Sequence, residues 1–193
     1  MIAHNVCYST LCPPPDEGDG RPVHATPMSK WTTRSHHFAT VDESPRPLVP
    51  IVLRALLSFR RDSKRRARAA AAAGDDALAS VLNARQLALK LCANATYGFC
   101  GAEMSPLCGP PLAEATLRWG NFYCREAARL IARQWPDRRV VYAATDSVFV
   151  AMPADSSADE AVGAGEAMAR FVSAELPDAL TLEFERVLSP FVL

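Results

Sequence analysis

Two stretches of helical periodicity, separated only by Gly74-Asp75-Asp76, constrain this chain more than anything else in it. Before the break, Leu53, Leu56, Leu57 and Arg60 recur at helical spacing, and the alanine run from Ala69 to Ala73 has high intrinsic propensity. A helix is therefore expected from about Leu48 to Ala73, with Pro50 tolerable only in its first turn. After the break, Leu78, Leu82, Leu89 and Cys92 mark one face of a second helix, from about Ala77 to Tyr97. The glycine ends the first helix and the aspartates cap the second. Helices joined so tightly fold back on each other as an antiparallel hairpin.

Elsewhere the periods alternate. Met1 to Leu11 is a short mixed-apolar element, and Cys12 to Pro47 is irregular, broken by Pro13-Pro14-Pro15, Gly18-Asp19-Gly20 and Ser44-Pro45-Arg46-Pro47. So long a loop marks a variable insertion. Gly98 to Pro111 reads as a loop, and a third helix fits Ala113 to Gln134, closed by Pro136-Asp137. Arg139–Ala144 and Ser147–Met152 alternate as two strands around a tight turn. Ser157–Leu176 reads as an amphipathic helix weakened by Gly163 and Gly165, and Thr181–Leu188 as a last strand. The fold class is α+β.

With 193 residues, 49% of them apolar, the chain can bury a core as one domain or two incomplete ones. Its formal net charge of zero argues against a nucleic-acid binder, but the average hides an asymmetry. Arg54, Arg60, Arg61, Lys64, Arg65, Arg66 and Arg68 face the single acid Asp62 within one short stretch. The six cysteines form no Cys-x-x-Cys pair, and the four histidines, His4, His24, His36 and His37, lie far from zinc spacing. Buried free thiols of a soluble intracellular protein are the expectation. No apolar run is long enough for a membrane span, and no Walker loop, nucleophile elbow or His-Glu-x-x-His supports another enzyme class.

Chemistry concentrates on the hairpin. Arg60 and Lys64 stand four apart on one helix, and Lys90 and Asn94 four apart on the other, with Tyr97 three further on. An antiparallel pair can bring Arg60, Lys64 and Lys90 to one surface, where three cations would bind a triphosphate through charge-assisted hydrogen bonds. Tyr97 can stack on a base, and Gly98 lets backbone approach it. A solvated basic face is the competing account, and it suits Arg65, Arg66 and Arg68 better. Lys90 instead interrupts the apolar stretch Leu87–Leu91 without an obvious partner. Asp146, between the two strands, reads either as a metal ligand or as an ordinary turn aspartate. Glu183 and Glu185 read as solvent-facing strand positions.

Lys90-Leu91-Cys92-Ala93-Asn94-Ala95-Thr96-Tyr97-Gly98 resembles the fingers motif Lys-x-x-x-Asn-x-x-Tyr-Gly of B-family DNA polymerases. Tyr142-Ala143-Ala144-Thr145-Asp146-Ser147 resembles their palm motif Tyr-Gly-Asp-Thr-Asp-Ser, and Arg60-Arg61-x-x-Lys64 the basic motif of the opposing fingers helix. Ala3-His4-Asn5-Val6-Cys7-Tyr8-Ser9-Thr10-Leu11 is similar to the segment following the first palm motif in the DNA polymerases of herpesviruses. His37-Phe38, Arg46-x-Leu48, Ile51-Val52-Leu53-Arg54 and Leu182-Glu183-Phe184-Glu185-Arg186-Val187-Leu188 continue in that family's order.

The resemblance implies a partial palm sheet from which the antiparallel fingers hairpin projects. Its parts would be a palm-derived segment and loop at 1–47, the hairpin at 48–98, and a palm portion with the metal-binding strands at 99–193. It implies DNA-directed DNA polymerase chemistry: deoxynucleotides added to a primer 3′-hydroxyl on primer–template DNA, with Mg²⁺ on Asp146. Arg60, Lys64, Lys90 and Asn94 would hold the deoxynucleoside triphosphate, and Tyr97 and Gly98 would contact the nascent pair. A nuclear address in a host cell and a viral processivity factor, bound through regions outside this sequence, follow from the herpesvirus likeness. Two departures cut against full activity. Ala143-Ala144 replace Gly-Asp, and the first palm motif, with its metal-binding aspartate, is not in the sequence. A fragment inactive by itself in primer extension is expected. The alternative is a catalytically dead nucleotide- or nucleic-acid-binding relic, while a purely structural helical protein leaves the ordered motifs unexplained.

Overall fold

The computed structural model describes residues 1–15, 22–27, 35–40, 46–144 and 146–190. Gly18-Asp19-Gly20, Ser44-Pro45 and Thr145 lie outside them. The chain divides into two compact units, Met1–Arg118 and Trp119–Leu193.

The first unit carries the hairpin. Helix α1 (Leu48–Ala72) and helix α2 (Asp76–Gly101) pack along each other, as the three-residue break requires. Gly74 makes the reversal with φ 78°, the left-handed conformation that glycine adopts without steric cost. The Asp75 amide donates to the Ala70 carbonyl at 2.9 Å, and the Asp75 carboxylate caps α2 by accepting from the Leu78 amide at 3.0 Å. The other end of α1 has no side-chain cap, because Pro47 stands there. The buried Cys7 sulfur takes that place, accepting from the Val49 amide at 3.3 Å.

Cys7 belongs to an N-terminal series of turns that braces the unit. Asn5, at φ 52°, donates from its side chain to the Ala39 carbonyl at 2.8 Å, and Thr10 closes the turn by donating to the Asn5 carbonyl at 2.5 Å. Tyr8 reaches the far end of α2, donating to the Leu107 carbonyl and to the Cys100 sulfur at 3.3 Å. Burial, and next that thiol, push the Tyr8 phenol up to about 12. A Cβ on Gly109 would stand 2.6 Å from the Tyr8 ring, so this approach requires glycine. Val6, Phe38, Cys100, Leu112, Ala113 and Ala115 form the buried core here.

Three short strands occupy part of the stretch expected to be irregular: β1 (Leu11–Cys12), β2 (Val23–Ala25) and β3 (His37–Ala39). They pair antiparallel in the order β1-β3-β2. Strands of two or three residues carry no readable alternation, and their pairing partners are distant in sequence. Helix α2 also corrects the expected loop at Gly98, because it continues to Gly101. Burying Cys100 against Leu112 and Val6 outweighs the roughly 1 kcal/mol that a helical glycine costs.

Helix α3 (Pro110–Gln134) opens on two prolines, whose fixed φ suits a first helical turn. Its first part serves the first unit: Glu114 accepts from Arg118 and lies 2.7 Å from the His36 ring nitrogen. The His36 hydrogen bond, aided by Arg118, holds the Glu114 carboxyl below its ordinary range against a smaller opposing effect of burial.

In the second unit, β4 (Arg139–Ala144) and β5 (Ser147–Ala151) form an antiparallel hairpin with a bulge between Val140 and Tyr142. Val140, Val148 and Val150 pack on Ala127, Leu130 and Ile131 of α3 and on Met168 and Val172 of helix α4 (Ala158–Glu175). Ser157 and Glu160 cap α4 reciprocally. The expected strand at Thr181–Leu188 is not one. The Ser173 hydroxyl satisfies Leu182 instead, donating to its carbonyl at 3.1 Å and accepting from its amide at 2.9 Å. The segment lies along α4, with the Phe184 ring over Gly165.

The two α4 glycines should therefore respond oppositely to alanine. At Gly163 a Cβ meets nothing within 4 Å, so Gly163→Ala should stabilise by about 1 kcal/mol from helix propensity. At Gly165 a Cβ would stand 2.4 Å from the Phe184 ring, so Gly165→Ala should lower the unfolding midpoint, and a Phe184→Ala background should remove most of that loss. Urea unfolding of the four variants checks both signs.

Candidate functional site

The register of the hairpin decides which cations meet. Arg60 Nε donates to the Gln86 side-chain oxygen at 3.4 Å, setting the middle of α1 against the middle of α2. Lys64, Ala67, Arg68 and Ala71 of α1, with Asn83 and Gln86 of α2, line a shallow groove of about 170 Å³ along the same seam. Lys90 stands one turn beyond Gln86 on α2, and Asn94 one turn beyond Lys90. Arg60 and Lys64 are half-buried in the seam, whereas Lys90 and Asn94 are exposed. Among the described residues no carboxylate pairs with Arg60, Lys64 or Lys90, so three cations stand on or beside one seam without a counter-charge. The groove is too small and open for a whole nucleotide, but its rim presents amide and ammonium donors suited to phosphate oxygens.

Tyr97 lies within α2 and packs, half-buried, against the Val6–Phe38–Leu112 core. Gly98 beside it is exposed, with open space where a Cβ would be. Gln86 and Asn83 were not singled out from sequence. The available signal was position, because Gln86 precedes Lys90 by four residues and so shares its face.

In the second unit, Asp146 occupies the exposed turn between β4 and β5 and accepts from the Ser147 hydroxyl at 3.3 Å. It is the only acidic residue from Arg139 to Ala151. Ala144 pairs in register with Ser147 across the turn and offers no polar group there. No group of three or more His, Cys, Asp or Glu side chains that could hold a metal gathers among the described residues. Magnesium demands near-octahedral oxygen ligation, which one exposed carboxylate does not supply. These residues by themselves do not fit a two-metal centre. Glu183 and Glu185 are exposed, and Glu185 pairs with Arg186 at 3.2 Å. The Cys124 thiol donates to the Ser147 carbonyl at 3.8 Å, and burial, then the Asp146 charge, push it up.

Residues 1–193 match the pattern of DNA polymerase family B. The chain belongs to that family. It is 33% identical over 201 residues to the DNA polymerase delta catalytic subunit of Mesocricetus auratus, all of this chain matching 18% of that protein. It is 30% identical over 200 residues to the delta catalytic subunit of Oryza sativa subsp. japonica, again across 18% of the relative. The chain thus spans less than a fifth of the length of these family B relatives. The family B DNA polymerase from the hyperthermophilic archaeon Pyrobaculum calidifontis has the same fold over 96% of this chain and 21% of its own, with a TM-score of 0.69 at 22% identity. These relatives are cellular or archaeal, and the herpesvirus assignment drawn from Ala3–Leu11 finds no support among them. No helix among the described residues is long and apolar enough to cross a membrane.

The closeness of Asp146 to Cys124 is open to measurement. Asp146→Asn removes the charge that disfavours the thiolate, so Cys124 should alkylate faster with iodoacetamide near neutral pH, as read by peptide mass mapping. Exposed Cys92 and Cys108 serve as internal controls whose rates should not change. An unchanged Cys124 rate would mean the two groups do not sense each other.

Proposed function

We propose that this chain carries the nucleotide-gripping fingers hairpin and part of the palm of a DNA-directed DNA polymerase. The observation that carries the reading is the α1–α2 seam, where Arg60 meets Gln86 one turn from Lys90 and Lys64 lines the same groove. Arg60, Lys64 and Lys90 neutralise the triphosphate of an incoming deoxynucleotide, and Asn94 supports it from the next turn of α2. Tyr97 and Gly98, near the end of α2, are the proposed contacts to the nascent base pair. Charge-assisted donors that neutralise a transferring phosphoryl group are the part of such catalysis a helical hairpin can supply. Primer–template DNA is the other substrate. For Mg²⁺, Asp146 is the single proposed ligand in this chain, and no step is routed through the ion.

The viral version of this reading rests on Ala3–Leu11 alone, and with it a viral processivity partner and a host-nuclear location. A second reading, a nucleotide-binding relic without catalysis, is favoured by one observation: Ala144 stands beside Asp146 where a carboxylate would share the metal.

Lys90 tests the grip. Lys90→Ala should weaken deoxynucleoside triphosphate binding by about 1–3 kcal/mol in a low-salt titration, the scale of a hydrogen bond to a charged group. The exposed position of Lys90 predicts little change in stability. Equal binding by the two proteins would remove Lys90 from the site.

A further inference from the structure

We infer that the outer face of α1 is a binding surface for single-stranded DNA, which meets the triphosphate seam only at Arg68, a residue that also lines the seam groove. Arg54, Arg61, Arg65 and Arg68 lie seven, four and three residues apart, which places all four within about 60° of one face of the helix. All four are exposed, while Leu53, Ser63, Ala67 and Ala70 turn the other side of α1 inward. The stripe runs about 21 Å along the helix axis. Its one neighbouring acid, Asp62, pairs with Arg65 at 2.5 Å on the surface, an interaction weak enough to yield to a phosphate.

A straight line of guanidinium groups suits a linear polyanion better than a point anion. Laid along a duplex, such a line would meet each strand's backbone only about once per 34 Å turn, whereas a flexible single strand can bring successive phosphates to it. Between Arg54 and Ala72 the other residues of this face are Leu57, Ser58, Ala69 and Ala72, and Leu57, at its edge, is half-buried. Apart from that one leucine, the face offers no exposed aromatic or large aliphatic anchor of the kind on which protein interfaces depend. Contact is therefore with phosphates and carries no base preference.

The test uses the full chain and its variant Arg54→Gln/Arg61→Gln/Arg65→Gln, leaving Arg68, which borders the seam groove, in place. Fluorescent oligothymidylate of about 16 nucleotides is titrated at several salt concentrations. Loss of three phosphate contacts should lower the slope of log affinity against log salt by about 2 and weaken binding by about tenfold or more at the lowest salt. Triphosphate binding, which depends on Lys90 in the proposed function, should be retained, so the two readings fail separately. Unchanged oligonucleotide affinity and slope in a variant with the wild-type helical signal would overturn the inference. So would tighter binding to a duplex of equal length, or equal competition by polyglutamate, which would assign the stripe to acidic protein.

Discussion

The reversal at Gly74 governs the rest of the first unit. At φ 78° the chain turns through a conformation that a side chain resists, and Asp75 then closes the turn from both sides, its amide on Ala70 and its carboxylate on Leu78. Three residues leave no slack between the helices. One inserted residue would rotate α2 by about 100° relative to α1 and carry Gln86 away from Arg60. The meeting of cations along the seam is thus a consequence of turn geometry, not of attraction between like-charged side chains, which oppose it.

The opposite end of the hairpin is held by different physics. No capping side chain precedes α1, and the α2 terminus runs through Gly98 before it stops at Gly101. The N-terminal turns supply both needs: Cys7 receives the orphan amide of Val49, and Tyr8 fixes the loop after α2 through Leu107 and Cys100. A left-handed Asn5 and the side-chain-free Gly109 make that approach possible. The Ala3–Leu11 segment therefore acts as a brace for the hairpin.

What was legible in the sequence follows the range of the interactions concerned. Helices α1, α3 and α4 and the strands β4 and β5 are legible because their periodicity is local, as is the Ser157–Glu160 cap of α4. The end of α2 was misread because Gly98 speaks locally for a break, while Cys100 is held in the helix by Val6 and Leu112, far away in the chain. Strands β1, β2 and β3 are too short to show a pattern, and the Thr181–Leu188 alternation was overridden when Ser173 took the Leu182 backbone groups. Within the candidate site, the spacing of Arg60, Lys64, Lys90 and Asn94 gave each helix face. Only the packed register could reveal that Gln86 is the residue on which Arg60 rests.

The same periodicity separates two kinds of charge on α1. Arg60 and Lys64 are turned toward α2, where flanking side chains limit their motion and partial burial weakens solvent screening. Such groups favour a compact ligand whose charge is concentrated, because a diffuse one could not enter the seam. Arg54, Arg61 and Arg65 are exposed to solvent, Arg65 in a surface pair with Asp62, where each contact is weak and strength comes only from number and counterion release. A helix that sorted its cations differently, with Lys64 outward and Arg61 inward, would blur a monomer site into a polymer surface. Because the two groups point roughly 60° or more apart, salt should weaken the proposed contact of the exposed arginines with a strand far more than the proposed grip of the seam cations on a nucleotide.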